Sequence, residues 1–298
     1  MSHYLNLFDS CELCPRKCKV NRNNEEIGFC GASNKIQVNR VALHHMEEPI
    51  KSGKNGSGTV FFSHCTLGCI YCQNFKISRK NSAGKIITSD ELANEFLKLE
   101  NLGAHNINLV SPTHYMPIIY DACLTARKNG LTIPFVYNTS GFELKENIDK
   151  LKDIIDIFLT DLKYISPYLS KRYSQSADYF DYTFDAIQKM VEIAGKPKFS
   201  RDGMLKKGVI IRHLILPAQT SDSISVLRKI SDNWGDKVLV SLMRQYTPIS
   251  SALPDELNRT VTDEEYLTVK AAFEEFGLNG FVQDSSSIGE DKIPDWDL

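Results

Sequence analysis

The chain has 298 residues, 42% hydrophobic and 24% charged, enough for one large α/β domain with a small appendage or for two medium domains. A formal net charge of −2 and a pI near 6.4 exclude a globally basic surface for nucleic acid or an anionic membrane. No apolar run approaches the roughly 20 residues of a membrane span. Residues 1–6 lack the basic-then-apolar order of a signal peptide, so the chain is expected to be cytoplasmic. In that compartment closely spaced thiols signal metal more often than disulfide.

Residues 1–57 form a cysteine-rich segment. Cys11, Cys14, Cys18 and Cys30 follow a C-x2-C-x3-C-x11-C pattern. Pro15, Gly28 and Gly31 are turn formers that let backbone amides point at sulfur. Four thiolates suit zinc or a second iron–sulfur cluster, which spacing alone does not separate; the alternative is a set of unmetallated thiols. His44, His45, Glu47 and Glu48 are candidate ligands or pocket groups. The stretch Ser52–Gly58 reads as a glycine-rich connector. It lacks the Gly-Lys-Ser/Thr ending of a phosphate loop.

Residues 58–250 alternate between strand and helix. Predicted strands are 58–64, 106–111, 133–137, 155–160, 208–216 and 237–242, near-continuous apolar runs that suit a sheet buried on both faces. The segments between them carry helical periodicity. Thr88 and Glu91 make a capping box ahead of Leu92, Phe96 and Leu99, and Gly103 marks the stop. Ile118, Ala122 and Ala126 repeat the pattern, as do Leu144, Ile148 and Leu151, then Thr183, Ile187 and Val191, then Ile224, Leu227 and Ile230. Cys123 falls inside such a pattern and reads as core. This βα repetition predicts a partial, TIM-like (β/α)6 barrel with its chemistry at the C-terminal strand ends. The basic stretch 196–207 reads as a solvated loop.

Residues 251–298 contribute a helix opened by a second capping box, Thr262 and Glu265, then a short strand at Phe281–Val282. An acidic tail from Asp284 is expected to be mobile, with Trp296 as a docking residue.

The chemistry concentrates in Cys65, Cys69 and Cys72, a C-x3-C-x2-C loop straight after the first barrel strand. A [4Fe-4S] cluster has four irons. Three thiolates leave one iron open to a small molecule, as a catalytic metal keeps a vacant position. Structural zinc takes four ligands.

This spacing, with aromatic Tyr71 before the third cysteine, resembles the radical S-adenosylmethionine superfamily. The resemblance implies that the open iron chelates S-adenosylmethionine. One electron then cleaves the cofactor to a 5′-deoxyadenosyl radical, which abstracts hydrogen from a substrate. Cys72-Gln73-Asn74, Asp161-Leu162-Lys163 and Arg212 leading to Leu216-Pro217 are similar to glycyl-radical-enzyme activases, notably the pyruvate formate-lyase activating type. It implies a glycyl-radical enzyme as protein substrate, with a small molecule as the alternative, and a flavodoxin- or ferredoxin-like electron donor. The rival class is a non-catalytic iron–sulfur redox protein.

Position by position, the resemblance puts Tyr71 near the adenine. Thr113, in Ser111-Pro112-Thr113-His114, stands where relatives carry a Gly-Gly-Glu segment for the cofactor's amino group. Asn138 and Ser140 stand at the ribose and carboxylate. Asp161, Lys163 and Arg212 surround the cofactor carboxylate, a charge-assisted role for the cations. Arg212 and His213 are adjacent on a strand, so only one faces inward, and Arg212 is the favoured one. Gln245 and Tyr246 are pocket candidates or a capped strand end.

Overall fold

The computed structural model describes residues 3–45 and 48–283. The expectations for Glu47 and for the tail from Asp284, Trp296 included, lie outside the described residues.

The strands are β1 (Gln37–His44), β2 (Ser57–Phe62), β3 (Lys85–Ile86), β4 (Ile107–Val110), β5 (Phe135–Thr139), β6 (Ile157–Asp161), β7 (Lys198–Phe199), β8 (Leu205–Leu214), β9 (Leu239–Met243) and β10 (Gly280–Val282). The helices are α1 (Pro49–Ser52), α2 (Phe75–Ser78), α3 (Ser89–Asn101), α4 (Met116–Lys128), α5 (Lys145–Asp149), α6 (Pro167–Ser174), α7 (Tyr179–Ala194), α8 (Thr220–Asn233) and α9 (Asp263–Glu275).

The sheet order is β10-β9-β8-β6-β5-β4-β2-β1-β3. From β2 to β10 every pair is parallel. Strand order there follows chain order without reversal, the winding of a barrel rather than of a doubly wound sheet. The sheet stays open, with β10 at one edge and β3 at the other. This is the partial barrel expected from the βα repetition.

Several boundaries moved. The first predicted strand, 58–64, ends at Phe62, and the predicted 133–137 strand runs over Phe135–Thr139, which brings Asn138 into the sheet. β1 was not foreseen. It lies within the cysteine-rich segment and pairs antiparallel with β2. The helices α2 and α6 were also not foreseen. Part of the basic stretch 196–207 forms a hairpin, β7 pairing with β8. The short strand at Phe281–Val282 is present, as β10 beside β9.

Period-two alternation explains the barrel wall. Val136, Ile157, Leu159, Leu205 and Ile210 form one small apolar cluster. Residues two further along the same strands, Asn138, Asp161 and Arg212, share that face. The inner face is therefore apolar low in the barrel and polar at its C-terminal rim. The alternate residues, including Phe135, Tyr137, Phe158, Val209 and Ile211, join the main core. On α3 the buried Leu92, Ala93, Phe96 and Leu99 cover that core, the large side chains contributing about 1.5–3 kcal/mol each.

The glycine-rich stretch lies at the foot of the barrel. Gly56 and Gly58 hydrogen-bond around Asn106, at the N-terminal ends of β2 and β4. That is the barrel end opposite Cys65, so the stretch is a connector there and no phosphate cradle beside the thiols.

Both capping boxes form. In the second, Glu265 also takes the Arg259 guanidinium at 2.7 Å and the Ala218 amide at 2.7 Å, locking α9 to the loop after β8. Glu265→Ala removes all of these and should cost about 1–2 kcal/mol, read as a lower urea midpoint with an unchanged m-value. An unchanged midpoint would show that the contacts are dispensable.

Candidate active site

A loop that offers three sulfurs on one side has to satisfy its carbonyls on the other. His64 enters the loop with φ 75°, a left-handed conformation uncommon outside glycine, and Gly68 has the same sign. These two residues let the chain fold back on itself within eight residues. Arg16 donates to the carbonyls of Thr66 (3.2 Å) and Leu67 (3.0 Å), and Arg79 to that of Cys69 (3.0 Å). With the carbonyls held outward, the Leu67 amide donates to Cys65 Sγ at 3.4 Å. Ser174 Oγ, at the end of α6, donates to Cys69 Sγ at 3.1 Å, and Ser78 Oγ to Cys72 Sγ at 3.5 Å.

The three thiols are close enough to perturb one another. Burial pushes Cys69 up to about 12, Cys72 and Cys65 add to the rise, and the nearby Lys163 ammonium works against it. Burial and Cys72 also raise Cys65. Such thiols ionise only when a cation takes the proton's place, the usual coupling of metal binding to deprotonation. Three soft donors, amide and hydroxyl donors to sulfur, and an adjacent ammonium suit an iron–sulfur cluster. Among the described residues no three Cys, His, Asp or Glu side chains already close around one point, so ligation has to draw the thiols together.

At the rim of β5, β6 and β8 the polar residues form one chain. Arg212 Nε donates to Asp161 Oδ1 at 2.8 Å, and Arg212 Nη2 to Asn138 Oδ1 at 2.7 Å. Lys163 Nζ meets Asp161 Oδ2 at 2.6 Å. Burial alone would raise Asp161, but the two cations hold it below its ordinary value. Burial opposes charge on Lys163 too, yet Asp161 and Cys69 keep it firmly protonated. The group carries one net positive charge beside Cys69. Gly141, just after β5, makes it possible: a Cβ there would sit 2.3 Å from the Asp161 carbonyl oxygen.

His213 points the other way. It is 1% exposed, donates through Nδ1 to the Leu162 carbonyl at 2.8 Å, and burial lowers it to about 4. Arg212 therefore faces the rim, and His213 packs behind the sheet.

Other expected residues are placed differently from a simple lining. The Tyr71 ring is buried beside Tyr173 and Tyr246, with its hydroxyl on Tyr164. Ser140 gives its carbonyl to the Tyr179 hydroxyl at 2.8 Å. Tyr246 is buried, with its hydroxyl on the Leu257 carbonyl, and the Gln245 carbonyl receives Gln73 at 3.2 Å. Gln245 and Tyr246 thus brace the cysteine loop. Cys123 is buried within α4. His44, at the end of β1, meets Phe61 of β2 edge-on, and Glu48 pairs with buried Lys51 at 3.7 Å.

Glu143 was not foreseen. Thr113 Oγ1 donates to it at 2.5 Å, and Thr139 and Tyr137 also bond to it. Burial raises its carboxyl to about 7, against the pull of those hydroxyls. It sits in an ordinary-looking Gly-Phe-Glu turn, and no sequence period marks it.

Residues 59–228 match the family described as the Radical SAM superfamily. The chain is 29% identical over 286 residues to the uncharacterized protein MJ0674 of Methanocaldococcus jannaschii, which spans 92% of this chain and 77% of that protein. It is 24% identical over 186 residues to a pyruvate formate-lyase-activating enzyme of Staphylococcus epidermidis, covering 57% of this chain and 65% of that enzyme, less than two thirds of its length. Among solved structures, the fold is similar to that of a radical SAM methyltransferase from Sphaerobacter thermophilus. The TM-score is 0.53 and the identity 14%, over 79% of this chain and 68% of the other. At that identity the likeness is one of fold.

Glu143 yields a pH test. Its folded-state pKa is raised, so the folded chain holds a proton that the unfolded chain releases between pH 4.5 and about 7. Stability from this group therefore falls as pH rises through that window. The stability difference between wild type and Glu143→Gln should change by about 3 kcal/mol across it and be flat above. Parallel pH profiles for the two proteins would show that Glu143 titrates normally.

Proposed function

The chain belongs to the radical S-adenosylmethionine superfamily, and on that premise we infer that it reductively cleaves S-adenosylmethionine and abstracts hydrogen from a substrate. The observation that carries the reading is the proximity of three cysteine sulfurs to the Lys163–Asp161–Arg212–Asn138 group at one barrel rim. Cys65, Cys69 and Cys72 would hold a [4Fe-4S] cluster. When bound, the cluster and cofactor would supply one electron and a scissile carbon–sulfur bond.

The chain's own residues bind and orient. Lys163 lies beside Cys69, where its ammonium would meet the cofactor carboxylate by a charge-assisted bond. Asp161 holds Lys163 and Arg212 in place. Asn138 and Ser140 are assigned to the ribose side, and Thr113, backed by Glu143, to the amino group. The backbone at Tyr71 faces the adenine. The tyrosines behind the cysteine loop fill that side with rings and exclude water. The electron comes from a flavodoxin- or ferredoxin-type donor.

For the hydrogen donor we assign a glycine residue of a protein, by likeness to the pyruvate formate-lyase-activating enzyme. The reading puts the enzyme among activases rather than small-molecule enzymes.

Anaerobic reconstitution followed by dithionite and S-adenosylmethionine should release 5′-deoxyadenosine. A reducible cluster with no release would leave a non-catalytic redox protein. Cys69→Ala should abolish both the cluster and release, and retention of both would show that the ligands are misassigned. Lys163→Met should keep its iron while the KM for S-adenosylmethionine rises about tenfold or more; an unchanged KM removes Lys163 from the carboxylate. With pyruvate formate-lyase carrying α-deuterated glycine, deuterium should appear in 5′-deoxyadenosine. Continued release without label keeps the cleavage chemistry and removes this protein class as the donor.

A further inference from the structure

The active-site reading uses none of Cys11, Cys14, Cys18 and Cys30. All four line one small enclosed cavity of about 10 Å³. That volume accepts one atom-sized centre. The turns around it aim amides at sulfur. The Phe29 amide donates to Cys18 Sγ at 3.3 Å. The Arg16 amide reaches Cys14, and the Ala32 amide reaches Cys30. Gly28 leaves room that a Cβ would fill, 2.9 Å from Cys18 Sγ. His114, 2% exposed, lines the same cavity, and its Nδ1 is buried without a hydrogen-bond partner among the described residues.

Charge is provided for as well. Arg22 is 1% exposed, and its guanidinium lies 4.0 Å from Cys11 Sγ. Four thiolates around one divalent ion leave two net negative charges, which an adjacent buried guanidinium offsets in part.

The second feature is where this turn leads. Arg16 lies between Cys14 and Cys18 and stacks on Phe29 at 3.9 Å. Its guanidinium donates to Thr66 and Leu67 of the three-cysteine loop, and to Ser174 (3.1 Å) and Gln175 (2.7 Å) at the end of α6. Ser174 is the residue whose hydroxyl meets Cys69 Sγ. One side chain thus joins the four-thiol turn to the loop and to the end of α6 that supports it.

We propose that Cys11, Cys14, Cys18 and Cys30 bind a single zinc ion, and that the ion fixes Arg16 as a positioning residue for the Cys65–Cys72 loop. Four donors leave zinc no open position, the mark of a structural site. All-sulfur tetrahedral ligation favours zinc among the abundant divalent ions. Binding replaces the thiol protons, which pass to solvent. The zinc half stands alone. The positioning half rests on the three-cysteine loop holding the cluster.

Metal analysis of the full-length chain separates the two sites. The triple variant Cys65→Ala/Cys69→Ala/Cys72→Ala should lose its iron and keep one zinc per chain. Iron persisting in that variant, or zinc absent from it, overturns the zinc assignment. Cys11→Ala/Cys14→Ala should lose the zinc; where that variant aggregates, cobalt(II) added to metal-depleted wild type should give the intense visible bands of tetrahedral thiolate cobalt, and their absence overturns the site. Arg16→Ala should keep zinc, yield its cluster iron to a chelator about tenfold faster and show an altered electron paramagnetic resonance spectrum of the reduced cluster, with Arg16→Lys recovering part of both. Iron loss and spectrum identical to wild type would overturn the positioning role, while leaving the active-site reading intact.

Discussion

Backbone carbonyls set the terms for the cysteine loop. Eight residues that offer three sulfurs on one side necessarily turn several carbonyls to the other. Buried carbonyls need donors, and a guanidinium, with five N–H groups in a rigid fork, can serve several at once. Arg16 and Arg79 do so for Thr66, Leu67 and Cys69. Neither belongs to the loop. The local geometry of the sulfurs therefore depends on the packing of α2 and of the cysteine-rich segment against it.

A second constraint operates at the strand ends. A parallel barrel carries apolar residues along its inner face, and that series has to end where substrate chemistry begins. On β5, β6 and β8 the change comes at the rim, at Asn138, Asp161 and Arg212. Three polar groups at low dielectric are costly alone and tolerable as a closed set. Asp161 accepts from both cations, and Asn138 accepts from Arg212 as well. The group leaves one positive charge next to the thiols, the sign that suits both an anionic cluster and a carboxylate.

The cysteine-rich segment is bound into this arrangement at several points. β1 extends the sheet beside β2. Asn147 donates to the Leu13 carbonyl at 3.1 Å. Arg22 donates to the carbonyl of His114 at 2.6 Å, and His114 Nε2 donates to that of Ser63 at 2.8 Å, two residues before Cys65. Arg16 and His114 thus each tie the cysteine-rich segment to the loop region by hydrogen bonds.

The sequence alone determined the βα alternation, the two capping boxes, the parallel barrel and the two groups of cysteines. These depend on neighbours a few residues apart, where hydrophobic period and thiol spacing are set by local geometry. It also reduced Arg212 and His213 to one inward choice, because adjacent strand residues face opposite ways. Strand ends were less legible: β5 slid two residues because Ile133 and Asn138 are both acceptable at an edge, and pairing with β4 and β6 decides between them. Only the tertiary structure revealed Arg79 and Glu143, or joined Arg16 to Gln175 across 159 positions of chain. Those contacts are made by long or buried polar side chains reaching between separate elements. Nothing in a linear pattern encodes which carbonyls such a side chain will find once the sheet has closed around it.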